Sequence, residues 1–178
     1  MRLFLAVSFP PDVLTWITAL QDDLRSHAQR GNFTRRENMH LTLHFLGELP
    51  NGKVSALCRM MDEIDAPSFT LSLRGIGFFP RDRGDIWWVG LEHSVPLHAL
   101  QTELGKRLSA AGFTVEQRPY TPHLTLAREV ILREPAQKET FLQTTDQKDS
   151  AVASFVLMKS ERIGGILRYT PLHKKALL

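Results

Sequence analysis

Met39-His40-Leu41-Thr42-Leu43-His44-Phe45-Leu46-Gly47 and Pro122-His123-Leu124-Thr125-Leu126-Ala127-Arg128 share the tetrapeptide His-Leu-Thr-Leu, with the second copy 83 positions after the first. At ordinary composition, Leu-Thr-Leu after any other given histidine has a chance on the order of one in a thousand. Both copies alternate polar and apolar residues, the pattern of a half-buried strand. That pattern puts His and Thr on one face and the two leucines on the other. Two strands therefore each present an imidazole and a hydroxyl.

The same offset relates what flanks the motifs. Leu3-Phe4-Leu5-Ala6-Val7 falls on Ile86-Trp87-Trp88-Val89-Gly90, two runs with strand chemistry. Each is followed by a helical pattern opened by proline: Val13, Ile17, Leu20 and Leu24 after Pro11, and Leu97, Leu100, Leu104 and Leu108 around Pro96. Gly31 and Gly112 lie where helix stops are expected. After the first motif, Val54, Leu57, Met61 and Ile64 form a second helical stripe. The corresponding stretch, 133–150, is polar and poorly periodic, with a short helix or a loop expected. Phe69-Thr70-Leu71-Ser72-Leu73 and Phe155-Val156-Leu157-Met158-Lys159 read as strands. Each is expected to pass through a glycine turn (Gly75 and Gly77; Gly164-Gly165) into another extended stretch. Ile166-Leu167-Arg168-Tyr169 reads as the last strand, ending near Pro171.

The expected fold is α+β, a single two-lobed domain over 1–178 with pseudo-repeats at about 2–80 and 85–170. Each lobe would be a mostly antiparallel sheet with helices on its outer face, related by a pseudo-two-fold axis, with the cleft between the lobes. A chain of 178 residues, 43% hydrophobic and 23% charged, has the size and composition for that. The net charge of +3 and pI of about 9.2 give only a mild leaning toward anionic partners. Cys58 is the only cysteine, so there is no internal disulfide and no thiolate metal cage. The apolar start, Leu3 to Phe9, is too short to span a membrane and reads as a strand, with a cytoplasmic location expected.

If the lobes face each other, His40, Thr42, His123 and Thr125 share one cleft. An imidazole titrates near neutrality, so one ring can accept a proton while its twin donates one. That pair suits the breaking of a P–O bond by in-line displacement, with the threonine hydroxyls bonded to the equatorial phosphate oxygens. A lone strand histidine is ordinarily a surface or satisfied core residue; its duplication in matched context points to function instead. Gly-rich phosphate loops of the Walker or Rossmann type are missing.

The chain resembles the two-histidine phosphoesterases, and within them the LigT-like RNA 2′,3′-cyclic phosphodiesterases, also called 2′-5′ RNA ligases. The carriers are the two motifs above together with Arg2-Leu3-Phe4-Leu5-Ala6 and Arg168-Tyr169-Thr170-Pro171-Leu172. The resemblance implies a bilobal fold and cofactor-free, metal-independent opening of a terminal 2′,3′-cyclic phosphate to a 2′-phosphomonoester. Its implied partners are RNA bearing that end or a cyclic nucleotide, with no membrane, and the protein is expected to be a monomer. Some members join RNA halves through a 2′-5′ bond. The resemblance makes His40 the proton donor to the leaving 3′ oxygen and His123 the base that activates water. The residues alone do not order these roles.

Three further residues are candidates for substrate binding. Arg128 is suggested by the resemblance, although alternation puts it on the face of Leu124 and Leu126, so it reaches the cleft only if the strand ends or bulges. His44 falls beside His40 and Thr42 by alternation. Tyr120, like Phe4 and Trp88, offers a face for a base. Phe45 corresponds to Arg128 in the repeat and is expected in the core. Arg35-Arg36, Arg118, Arg168 and Lys174-Lys175 are candidates to track an RNA backbone, and Asp62, Glu63 and Asp65 read as a solvated face. Two alternatives stand beside the enzyme: a non-catalytic basic RNA-binding module, which turns nothing over, and a metallohydrolase, which chelator silences.

Overall fold

Two antiparallel sheets share one hydrophobic core in the computed structural model, which describes residues 1–178. The strands are β1 (Arg2–Val7), β2 (Ala28–Phe33), β3 (Leu41–Glu48), β4 (Phe69–Phe79), β5 (Asp85–Leu91), β6 (Leu124–Leu132), β7 (Gln147–Val152), β8 (Ser154–Ile163) and β9 (Ile166–Ala176). The helices are α1 (Pro11–His27), α2 (Val54–Asp62), α3 (Val95–Ala110) and α4 (Gln137–Leu142). One sheet has the order β3-β1-β8-β9 and the other β2-β6-β5-β4-β7. The α+β, two-lobed architecture expected from the repeat is the one observed.

The sheets are not the two halves of the chain folded one after the other. Each motif strand pairs with the first strand of its own half, β3 on β1 and β6 on β5. The long strands β4 and β8 cross over, β4 pairing with β5 and β8 with β1. The helices cross as well. On α1, Gln21 is buried and donates from Nε2 to the Leu126 carbonyl of β6 at 2.8 Å, and α3 accepts a hydrogen bond from β3. A central strand such as β1, with sheet neighbours on both sides, is covered over its length, so Leu3 to Val7 are all buried.

The helices follow the apolar stripes. Val13, Ile17 and Leu24 of α1 are buried, as are Leu97, Leu100, Leu104 and Leu108 of α3. Pro11 opens α1, and Ser94 caps α3 by accepting the Leu97 N–H at 3.3 Å. Gly112 takes φ +81 just past α3, as a helix stop should. Gly164 and Gly165 both have positive φ, the requirement of a tight two-residue hairpin between β8 and β9.

Four local expectations are corrected. Residues 28–33 form an edge strand, so Gly31 lies inside β2 rather than ending a helix. Residues 147–152 form β7 at the opposite edge of that sheet. Gly75 and Gly77 do not turn the chain: β4 runs through them, with an irregularity between Leu73 and Ile76 where Gly75 adopts φ +76. The last strand does not stop near Pro171 but continues to Ala176. Proline is tolerated there because β9 is an edge strand and its register shifts beside Pro171.

Candidate active site

His40 and His123 stand immediately before β3 and β6, at the mouth of the cleft between the sheets. Each ring is anchored in the same way. His40 Nδ1 lies 2.7 Å from the carbonyl oxygen of Asn38, and His123 Nδ1 lies 2.8 Å from that of Thr121. A carbonyl only accepts, so each Nδ1 carries the proton and each neutral ring leaves its Nε2 lone pair for chemistry. His40 Nε2 faces the Thr42 hydroxyl at 3.1 Å. Phe4 at 4.8 Å and Tyr169 at 5.1 Å between ring centroids pack against His40, and Phe79 at 5.2 Å packs edge-on against His123.

Both motifs line one cavity of about 530 Å³, which contains His40, Thr42, His123 and Thr125. Burial is the first cause that holds His40 below the ordinary imidazole value of 6.5, and the positive charge of Arg128 adds to it. The hydrogen bond to Asn38 opposes that shift without cancelling it.

A matched pair of β-bulges decides what else reaches the cavity. Ala6 pairs with Thr42 but Leu5 with His44, leaving Leu43 as an extra residue. In the second lobe Trp88 pairs with Thr125 but Trp87 with Ala127, leaving Leu126 extra. Past each bulge the alternation inverts. Arg128 is thereby turned into the cavity beside Thr125, where its guanidinium makes no ion pair. The same inversion corrects two expectations in the first lobe. Phe45 is not core: it is 52% exposed and lines the cavity. His44 does not stand beside His40 and Thr42: it is buried under α3, donating from Nε2 to the Gln101 carbonyl at 2.7 Å.

A carbonyl at each bulge accepts a side-chain hydrogen bond, and that of Leu126 also accepts the Thr34 N–H at 2.9 Å. The Tyr120 hydroxyl donates to the Thr42 carbonyl at 2.9 Å, and Gln21 donates to that of Leu126. Burial raises the Tyr120 phenol well above its ordinary value, which keeps it a donor. Tyr120 lies in a neighbouring cavity and supports β3 rather than offering a face beside His40. Of the other aromatic candidates, Phe4 is buried against His40, and Trp88 packs over Gly77, where a Cβ would come within 2.2 Å of its ring. Arg118 pairs with Glu116, and Arg36 is held by the Pro11 carbonyl.

Tyr169, Asn38, Arg2 and Arg162, none of them a site candidate from the sequence, also line the cavity. Nothing in the spacing of Tyr169 ties it to His40. Asn38 is buried and donates to the Leu167 carbonyl at 3.0 Å, tying the loop before His40 to β9. No cluster of three or more His, Cys, Asp or Glu side chains capable of holding a metal occurs. No helix is long and apolar enough to cross a membrane.

The family model described as LigT-like phosphoesterase matches the chain twice, at residues 7–88 and 89–167. The chain belongs to that family. It is thus an enzyme of the phosphoesterase class. The RNA 2′,3′-cyclic phosphodiesterase of Escherichia coli is 32% identical over 99% of this chain and 96% of its own length. That of Thermotoga maritima is 34% identical over 72% of this chain and 70% of its own. The chain spans 44% of a longer relative of the same name from Geobacillus stearothermophilus, 32% identical over 76% of this chain. The crystal structure of E. coli LigT in apo form superposes with a TM-score of 0.81, at 30% identity over 99% of this chain and 96% of that one. The same protein complexed with 3′-AMP also gives 0.81, at 31% identity over 99% and 97% of the two chains.

Proposed function

We propose that this LigT-like phosphoesterase is a monomeric, cytoplasmic RNA 2′,3′-cyclic phosphodiesterase that opens the cyclic phosphate to a 2′-phosphomonoester without metal or other cofactor. The observation that carries this reading is the convergence of two equivalently anchored imidazoles, His40 and His123, on one cavity that also holds two threonine hydroxyls and the unpaired Arg128.

The phosphodiester anion sits against the Arg128 guanidinium, with Thr42 and Thr125 donating to its non-bridging oxygens. His123 takes a proton from water through Nε2 as the water oxygen attacks phosphorus. The P–O3′ bond breaks in line, and His40 delivers a proton to the departing 3′ oxygen. In the free protein His40 is held neutral, so this role requires the bound anion. A negative charge beside the ring favours its protonated form and offsets burial. With an RNA 5′-hydroxyl in place of water, the same displacement joins two ends through a 2′-5′ bond.

The test is incubation of RNA ending in a 2′,3′-cyclic phosphate with chelator present, followed by identification of the product. A 2′-phosphomonoester is expected. His40→Ala and His123→Ala should each lose about a hundredfold or more in kcat with little change in melting temperature. Retention of most activity in either variant, or its disappearance in chelator, would refute the mechanism.

A further inference from the structure

Packing alone does not decide which nitrogen of His40 faces the cavity. The rings of Phe4 and Tyr169, at 4.8 and 5.1 Å between centroids, set the plane of the imidazole. Turned over about its Cβ–Cγ bond, the same ring fits the same slot with nitrogens and carbons exchanged. Only directional bonds separate the two settings. The Thr42 hydroxyl, 3.1 Å from Nε2, both donates and accepts, so it does not fix the proton. The Asn38 carbonyl, 2.7 Å from Nδ1, only accepts, and which nitrogen is protonated is set by the bond the other makes. Whatever aims that carbonyl therefore chooses the nitrogen that reaches the substrate.

Asn38 closes a single 3₁₀ turn, Arg36–Asn38, that is held at both ends. At its start Arg36 donates to the Pro11 carbonyl of α1 at 2.8 Å. At its end the Asn38 side chain donates from Nδ2 to the Leu167 carbonyl of β9 at 3.0 Å. Met39 is buried in the core and fixes the path of the chain, but an apolar contact carries no direction. The Asn38 amide is itself buried, and its Oδ1 makes no hydrogen bond within the protein. A buried acceptor so placed costs stability that an apolar side chain of the same size would not. The one hydrogen bond this amide makes is the tie to β9. The second lobe differs: the carbonyl that holds His123 belongs to Thr121, an exposed residue in a stretch outside any helix or strand.

We propose that Asn38 is the positioning residue of the first motif: its side chain clamps the loop to β9, so that its carbonyl holds His40 as the Nδ1–H tautomer with Nε2 toward the cavity. The assignment rests on the acid–base reading above and adds the group that orients one of its two histidines. As acid, His40 begins protonated on both nitrogens. With Nδ1–H bound to the Asn38 carbonyl, the proton that leaves for O3′ is the one on Nε2. The ring then returns to the neutral form of the free protein. Without the clamp the carbonyl swings away and the neutral ring relaxes toward its Nε2–H form. It can also turn over in its slot, and Nε2 then faces the reacting oxygen only part of the time.

Long-range proton–nitrogen NMR spectra of the imidazoles test it, taken without substrate at about pH 8, where histidine is neutral. In the wild type His40 should show the Nδ1–H pattern. Asn38→Ala, and Asn38→Leu, which fills the space without a donor, should move His40 wholly or partly to the Nε2–H pattern and leave His123 as it was. Both variants should lose about tenfold or more in kcat, the cost of a misplaced catalytic group, with KM nearly unchanged. A folded variant in which His40 keeps the Nδ1–H pattern, or kcat its wild-type value, would overturn the assignment. Equal disturbance of His123 would also overturn it, since a general loosening moves both rings. The Asn38 amide protons of the wild type should exchange slowly with solvent. Exchange at the rate of an exposed side chain, or an Nε2–H pattern for wild-type His40, would overturn it even if neither variant folds. The spectra need no turnover, so they stand apart from the kinetics of His40→Ala, which test the acid–base reading.

Discussion

Gly84 lies so close to the backbone of Glu129 that a Cβ on it would come within 2.6 Å of the Glu129 carbonyl carbon. Gly84 has φ +123 and Glu129, a non-glycine, has φ +53. The turn before β5 therefore braces the segment that follows Arg128, with the Glu129 carboxylate held by Asn32 Nδ2 at 2.8 Å. Gly84→Ala should destabilise the protein by about 1–3 kcal/mol through backbone strain. It should also displace Arg128 and raise KM. Urea denaturation and steady-state kinetics measure the two effects, and an unchanged midpoint would contradict the close approach.

Tyr120→Phe removes the donor to the Thr42 carbonyl while keeping the ring. A buried carbonyl left without its partner costs about 1–3 kcal/mol. Because that carbonyl belongs to the bulge that orients Thr42, kcat should fall more than KM rises. Loss of stability with an unaltered kcat would show that the bulge holds without this bond.

Arg128→Lys keeps the charge but loses the fork geometry that suits a phosphate. It should recover only part of the activity removed in Arg128→Ala, for which a loss of about hundredfold in kcat/KM is expected. Equal activity of the lysine variant and the wild type would show that a point charge suffices.

Burial of neutral His40 makes stability depend on pH. Its folded value is held below 6.5, whereas the unfolded chain titrates near 6.5, so on acidification the unfolded state binds the proton first. This contribution is fully present above about pH 7 and is lost as pH falls through 6.5 toward the folded value. The wild type should therefore lose more stability between pH 7 and 5 than His40→Asn does. Parallel curves for the two proteins would exclude the burial effect.

The same ring should titrate differently once the substrate anion is bound. The group that must be protonated should show a higher apparent pKa in the kcat profile than in that of kcat/KM, which reports the free enzyme. Coincident limbs would mean that the anion does not charge His40.

The motif strands and the apolar helices were legible in the sequence because their periodicity is local. Alternation placed His40 with Thr42 and His123 with Thr125, and both pairs line the cavity. Alternation failed one residue later in each lobe, because a bulge is set by pairing with β1 or β5 and leaves no mark in the bulged strand's composition. His44 and Phe45 thus exchanged faces relative to expectation. Ala28–Phe33 and Gln147–Val152 escaped notice for another reason. They are sheet edges with one neighbour each, so their burial is partial and their residues mostly polar. Nothing local in the sequence marks Gln21, since its partner Leu126 is distant in the chain.

The crossing of β4 and β8 bears on how such a molecule can exist at all. A lone half would carry a long ribbon with no sheet to join, and its single imidazole would face no twin. Two copies that trade those ribbons complete each other at once, so the smallest self-sufficient version of this architecture is an interlocked homodimer. In the present protein that pair is tethered into one polypeptide, which frees the halves to diverge and lets one keep an arginine where the other keeps a phenylalanine.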